Sequence, residues 1–212
     1  MKILSIRMKN LASISGEHFI DFEAEPLANA GLIAIVGKTG AGKSTILDAM
    51  CLALFNRIPR LKDSDGKLTD ADGSELLTNS PLTVLRRGAA HGFAELCFVA
   101  QDQKRYLARW ELKRAREKAD GRLQNVQRYL TCLSDGVVVA DKAKAVDAGI
   151  LKITQLSFEQ PAPASSATTA TPTILVSSSG RAARSSGRKL TLQVWRSRAS
   201  SWLPARSRAA SW

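Results

Sequence analysis

The chain has 212 residues, of which 44% are hydrophobic, and 31 Lys and Arg against 19 Asp and Glu leave a net charge of +12. Its length allows one or two ordinary domains, and its longest apolar run, Leu32 to Val36, is far too short to cross a bilayer. Lys2, Arg7 and Lys9 interrupt the first segment where a secretion signal would need an apolar core, and the isolated Cys51, Cys97 and Cys132 argue for reduced, buried thiols over a disulfide framework or a metal site.

In chain order, Met1 to Leu11 alternates apolar and polar residues as a half-buried strand does. Ser15-Gly16-Glu17 is a turn signal, and His18 to Phe22 reads as a second strand. Gly31 to Val36 is a short β-branched run with the look of a buried strand, and it leads into Gly37-Lys38-Thr39-Gly40-Ala41-Gly42-Lys43-Ser44. Thr45 to Phe55 follows with apolar residues at helical spacing. Strand, glycine loop and helix together are the setting a phosphate-binding loop requires. The glycines let successive backbone N–H groups turn toward phosphate oxygens, and the helix N-terminus adds unpaired N–H groups and partial positive charge. Lys43 is expected to reach the β- and γ-phosphates of ATP, the Ser44 hydroxyl to ligate Mg²⁺, and Thr45 to complete the loop.

Asn56 to Ser80 is polar and turn-rich and reads as a surface excursion. Three strands are expected at Phe93 to Ala100, Arg105 to Leu112 and Val126 to Leu133, and a helix at Asp141 to Gln155 that Gly149 weakens. Lys113, Arg114, Arg116 and Lys118 form the strongest basic cluster outside the last quarter of the chain. A hairpin carrying them could track a DNA backbone, since phosphate contacts need charge and reach; a solvated loop is the alternative. Arg86 and Arg87 carry the same two readings. His18 and His91 read as ordinary surface or turn residues.

The pattern Ile3-Leu4-Ser5-Ile6-Arg7 with Lys9-Asn10-Leu11 and Ser13, the strand Ile20-Asp21-Phe22, the loop Gly37 to Thr45, and Leu47-Asp48-Ala49 with Cys51 to Leu54 resemble the start of an SMC-type ATPase head. The likeness is to the SbcC family, ATPase subunits of bacterial SbcCD DNA-repair nucleases; it covers residues 1 to 160 and is densest up to Pro59-Arg60-Leu61. It implies an α/β P-loop NTPase fold, a partial ABC/SMC-type head whose N-terminal lobe carries an antiparallel β-subdomain. It also implies ATP and Mg²⁺ as cofactors, a second SbcC head, the SbcD nuclease subunit and double-stranded DNA as partners, and a cytoplasmic, nucleoid-associated setting without a membrane. In that family ATP hydrolysis is coupled to exonuclease and endonuclease action in DNA repair and recombination.

Several parts of such an engine are missing from the sequence. No apolar strand ends in the Asp-Glu pair that would help hold Mg²⁺ and activate water; Leu96 to Asp102 comes nearest and reads better as a strand entering a turn. Glu95 and Glu111 are the carboxylates to test first should turnover be found. The signature that completes the site from a partner head is absent, and so are heptad arms. The chain alone is therefore expected to bind ATP without turning it over. Residues 161 to 212 carry eight basic residues and no acidic one, leaving 23 against 19 in residues 1 to 160. Their Ala, Arg, Ser and Pro content, with scattered Trp195, Trp202 and Trp212, reads as a disordered low-complexity tail, out of frame with the family pattern that stops at Gln160. The alternative is a self-contained nucleotide-binding protein whose basic tail binds nucleic acid.

Overall fold

The computed structural model describes residues 1–158 except Gly31, Lys62 and Ser157, together with the strand backbones of Thr173–Val176 and Thr191–Trp195. Along the chain the strands are β1 (Lys2–Lys9), β2 (Glu17–Asp21), β3 (Leu32–Val36), β4 (Lys67–Thr69), β5 (Glu75–Leu77), β6 (His91–Val99), β7 (Arg105–Lys113), β8 (Gln127–Cys132), β9 (Val137–Ala140), β10 (Thr173–Val176) and β11 (Thr191–Trp195). The α-helices among the described residues are α1 (Lys43–Phe55) and α2 (Ala143–Thr154).

A six-stranded sheet runs in the order β2-β1-β6-β7-β8-β9. Alternation on β1 sends Leu4, Ile6 and Met8 into the core, with Ser5 and Arg7 on the other face. The hairpin read from the first 22 residues and the meander read from β6 to β8 are one sheet. β1 joins them, with Ile6 opposite Ile20 on one side and Leu96 on the other. β9 has no counterpart in the sequence reading: Val137 and Val138 are 56% and 58% exposed, so the run shows no alternation to mark it as a strand.

Helix α1 is covered on nearly every side, with nine buried residues that include Lys43, Thr45 and Asp48 as well as Ile46, Ala49 and Leu52. Such a helix belongs to the core rather than to a surface. It packs on the sheet face formed by Ala94, Leu96, Trp110 and Leu130, and each large side chain buried there contributes about 1.5–3 kcal/mol. Trp110 is fully buried, and its indole N–H donates to Asn56 Oδ1 at 2.7 Å, where α1 ends. Helix α2 lies on β8 through Val146 and Ile150. Gly149 is at the close approach: a Cβ there would sit 2.9 Å from Leu130 Cδ2, so the residue that weakens the helix signal lets the helix approach the sheet.

The excursion at 56–80 contains the small hairpin β4–β5. β3 lies in a separate sheet, parallel to β10 and antiparallel to β11. These two strands fall within the stretch read as a tail without periodicity; their β-branched residues supply the strand preference. The tail reading for the rest of 161–212 lies outside the described residues. No helix among the described residues is long and apolar enough to cross a membrane.

Candidate functional site

The site is built where β3 delivers the chain into α1. Ile33 and Ile35 anchor β3 in the core, so the glycine loop leaves from a fixed strand end. Gly40 and Gly42 take φ values of 79° and 92°, which a side chain would resist. Gly42 is the N-cap of α1, and its carbonyl accepts from the N–H of Thr45 at 3.0 Å and of Ile46 at 3.3 Å. The amides of the first turn remain without helical partners, as at every helix start.

Lys43 is buried, yet no carboxylate neutralises it. Its Nζ donates to the carbonyls of Gly37 at 2.7 Å and Lys38 at 2.8 Å, so Gly37 and Lys38 serve the loop through their backbone. Ser44, one residue on, is exposed at the helix start. Thr39, Gly40 and residues 42 to 45 line a cavity of about 370 Å³, with Ala12, Ser13 and Arg60 completing the wall. Ala41 closes the loop through its N–H to the Lys38 carbonyl at 3.1 Å.

Ala12 and Ser13 come from the turn after β1, and no local motif marked them as part of the cavity. Arg60 was legible only through family likeness. Its Nε donates to Asp48 Oδ2 at 2.7 Å. Burial pushes the Asp48 carboxyl above the ordinary carboxylate range, and the Arg60 charge opposes that rise. Burial and the Asp48 charge together push the neighbouring Cys51 thiol up to about 11.

The basic cluster divides. Arg114 is only 4% exposed, with Nη1 and Nη2 on Asp70 at 2.8 and 2.6 Å and Nη1 also on the Gly121 carbonyl. It fastens the β4–β5 hairpin to the sheet and is withdrawn from any nucleic-acid surface, which corrects its place in the cluster. Lys113 pairs with Glu111 at 3.1 Å, while Arg116 and Lys118 are exposed. None of the four lines the cavity.

The carboxylates of β6 and β7 point the other way. Trp110 faces α1, so Glu111 lies on the opposite face of the sheet, and Glu95 alternates with the core residues Ala94 and Leu96 in the same manner. Arg109 bridges both, Arg7 reaches Glu95, and His91 bonds Glu111 at 2.8 Å. His91 is thus a half-buried strand residue with a carboxylate partner, not a turn residue. Asp102 sits in the turn after β6, where the Tyr106 hydroxyl donates to it at 2.7 Å and holds its carboxyl below the usual range. Among the described residues no cluster of His, Cys, Asp and Glu could hold a metal ion by itself.

The family model described as an AAA domain matches residues 5–158. The chain belongs to that family. The AAA domain is 53% identical over 146 residues to the C subunit of the SbcCD nuclease of Pseudomonas aeruginosa, a match covering 68% of this chain. It is 48% identical over 162 residues to the same protein from Rhodobacter capsulatus, covering 76% of this chain. At this identity the AAA domain is an SbcC-type ATPase head segment. The chain spans 12% and 13% of the length of these two curated relatives. Among solved structures it resembles an SMC head domain from Thermotoga maritima at 22% identity, with a TM-score of 0.38 and coverage of 70% of this chain and 42% of that one. It also resembles the recombination mediator protein RecF with ATP at 15% identity, with a TM-score of 0.42 and coverage of 66% and 28%.

Proposed function

We propose that the chain is the ATP-binding lobe of an SbcC-like ATPase head that serves a DNA-repair nuclease. The observation that carries the reading is the cavity at the start of α1, where loop amides, Lys43, the exposed Ser44 and Arg60 meet. The donor set fits Mg-ATP. Lys43 already lies along the loop and can exchange its carbonyl partners for phosphate oxygens. Arg60 brings a second positive charge to the same wall. Ser44 offers a hydroxyl to Mg²⁺, whose bound form would bridge the terminal phosphates and neutralise their charge.

What these residues can do is bind and orient. No carboxylate faces the cavity to activate water except through Asp48, which is engaged by Arg60. Turnover is therefore proposed to need groups from elsewhere in an assembled enzyme: a second head, with an SbcD-like nuclease subunit acting on double-stranded DNA in the cytoplasm. The exposed Arg116 and Lys118, with Lys113 behind them, remain the proposed contact to a DNA backbone.

Calorimetry with Mg-ATP tests the reading. Wild type should bind, and Lys43→Ala should lose at least about tenfold in affinity, because the loop lysine is the charge opposite the terminal phosphates. Equal affinities would sink the proposal.

A further inference from the structure

We infer that Arg86 is a positioning residue for the nucleotide cavity: its guanidinium holds the turn after β1 against Gly42, at the start of the phosphate-loop helix. The inference rests on the nucleotide reading above and adds a residue that itself does not line the cavity. Arg86 Nη1 donates to the Ser13 carbonyl at 2.9 Å and lies 3.5 Å from that of Ala12. Those are the two turn residues that do line it. A basic residue that the sequence leaves open as a nucleic-acid contact is thus turned inward.

The turn needs such support. Ala12 sits at φ 47° and Asn10 at φ 52°, left-handed values that a residue other than glycine keeps only when its surroundings impose them. The rest of the frame comes from the same segment. The Arg86 N–H donates to the Asn10 carbonyl at 3.0 Å, the Ala12 N–H to the Val84 carbonyl at 2.7 Å, and Asn10 Nδ2 to the His91 carbonyl at 2.9 Å. Beyond the turn the contact is direct: a Cβ on Gly42 would lie 3.0 Å from Ile14 Cγ1 and 3.5 Å from Ser13 Oγ. Displacing the turn therefore moves one wall of the cavity against the residue that starts α1.

The turn brings no charged side chain to the cavity. Its contribution is shape and polar contact to the part of a nucleotide beyond the phosphates, whereas the loop and Lys43 take the phosphates themselves. This separates the two ligand classes in a test on the full chain. Affinities of Arg86→Met and Arg86→Lys for Mg-ATP and for inorganic tripolyphosphate are measured by calorimetry, with melting curves alongside. Arg86→Met should lose about tenfold or more for Mg-ATP and stay within about twofold of wild type for tripolyphosphate. Arg86→Lys should lie between, since one ammonium donor can still reach a carbonyl. Adding Ala12→Gly to Arg86→Met should regain part of the loss, because glycine adopts the left-handed turn unaided.

Unchanged Mg-ATP affinity would overturn the inference. So would a parallel loss of both ligands, no regain with Ala12→Gly, or failure of both Arg86 variants to fold. A wild-type chain that binds neither ligand would instead sink the nucleotide reading on which it rests.

Discussion

Lys43 and Asp48 are buried on the same helix and are treated differently by their surroundings. The ammonium is satisfied by two carbonyls, a neutral cradle that a phosphate can replace without leaving a stranded partner. The carboxylate depends on one half-exposed arginine. Burial raises the Asp48 pKa in the folded state, so the ionised carboxylate weakens the fold at neutral pH, and acidification through the folded pKa relieves that cost. Arg60→Met removes the opposing charge. It should lower stability by about 1–2 kcal/mol at neutral pH, a figure reduced for the exposure of Arg60, with the gap to wild type narrowing as pH falls. Urea titrations at pH 7 and pH 5 check both parts; a gap that widens on acidification would contradict the assignment. Cys51, with its thiol pushed up to about 11, should resist iodoacetamide at pH 8 in the folded chain and react once urea exposes it. Mass spectrometry of labelled peptides reads this directly.

Elements are tied together by polar groups at their ends. Helix α1 stops at Asn56, whose φ of 53° places it in the left-handed region, whose N–H returns to the Leu52 carbonyl and whose side chain accepts from Trp110. Arg128, fully buried on β8, donates to the carbonyl of Leu54 at 2.8 Å and pairs with Asp147 of α2. The phosphate-loop helix is thus held at its far end by β7, β8 and α2. Asn56→Ala should cost about 2 kcal/mol, combining the strained φ with an unpartnered indole N–H, and appear as a lower denaturant midpoint at unchanged slope. The Arg114–Asp70 pair does the same for the β4–β5 hairpin. The Arg114 hydrogen bonds hold the Asp70 carboxyl below its ordinary range. This stability is present above the usual carboxylate pKa and is lost as pH falls through the lower folded value. Asp70→Asn should therefore cost about 2–4 kcal/mol at pH 7, where it leaves a buried guanidinium without its counter-charge, and much less at pH 3. A cost independent of pH would show that the pair is not ionic.

Across the molecule, every residue that lines the cavity lies between Ala12 and Arg60, while the β-subdomain supports it from behind. Removing residues 161–212 should leave Mg-ATP affinity unchanged, since no cavity group is lost. Loss of binding on truncation at Gln160 would show instead that pairing of β10 and β11 with β3 holds the loop in place. The purified chain should release no phosphate above a Lys43→Ala control. Glu95 and Glu111 lie on the far face of the sheet in ion pairs with Arg109, so Glu95→Gln and Glu111→Gln should leave nucleotide binding as it is.

The phosphate loop, its strand and its helix are legible in the sequence, as are most strands of the antiparallel sheet. In each of these the signal is local: glycine spacing, β-branched runs and alternation express backbone preferences over a few residues. Even Gly149, which weakens the helix pattern, left α2 recognisable. Packing settled what meets across the chain. The pairing of β1 with β6 makes one sheet of two apparent units. Arg114 reaches Asp70 across 44 residues and leaves the surface, and Arg86 reaches Ser13 across 73 and becomes part of the site's frame. An arginine on a solvated loop and one buried on a distant carbonyl or carboxylate read alike in sequence, because the partner that settles its role is brought near only by the folded chain.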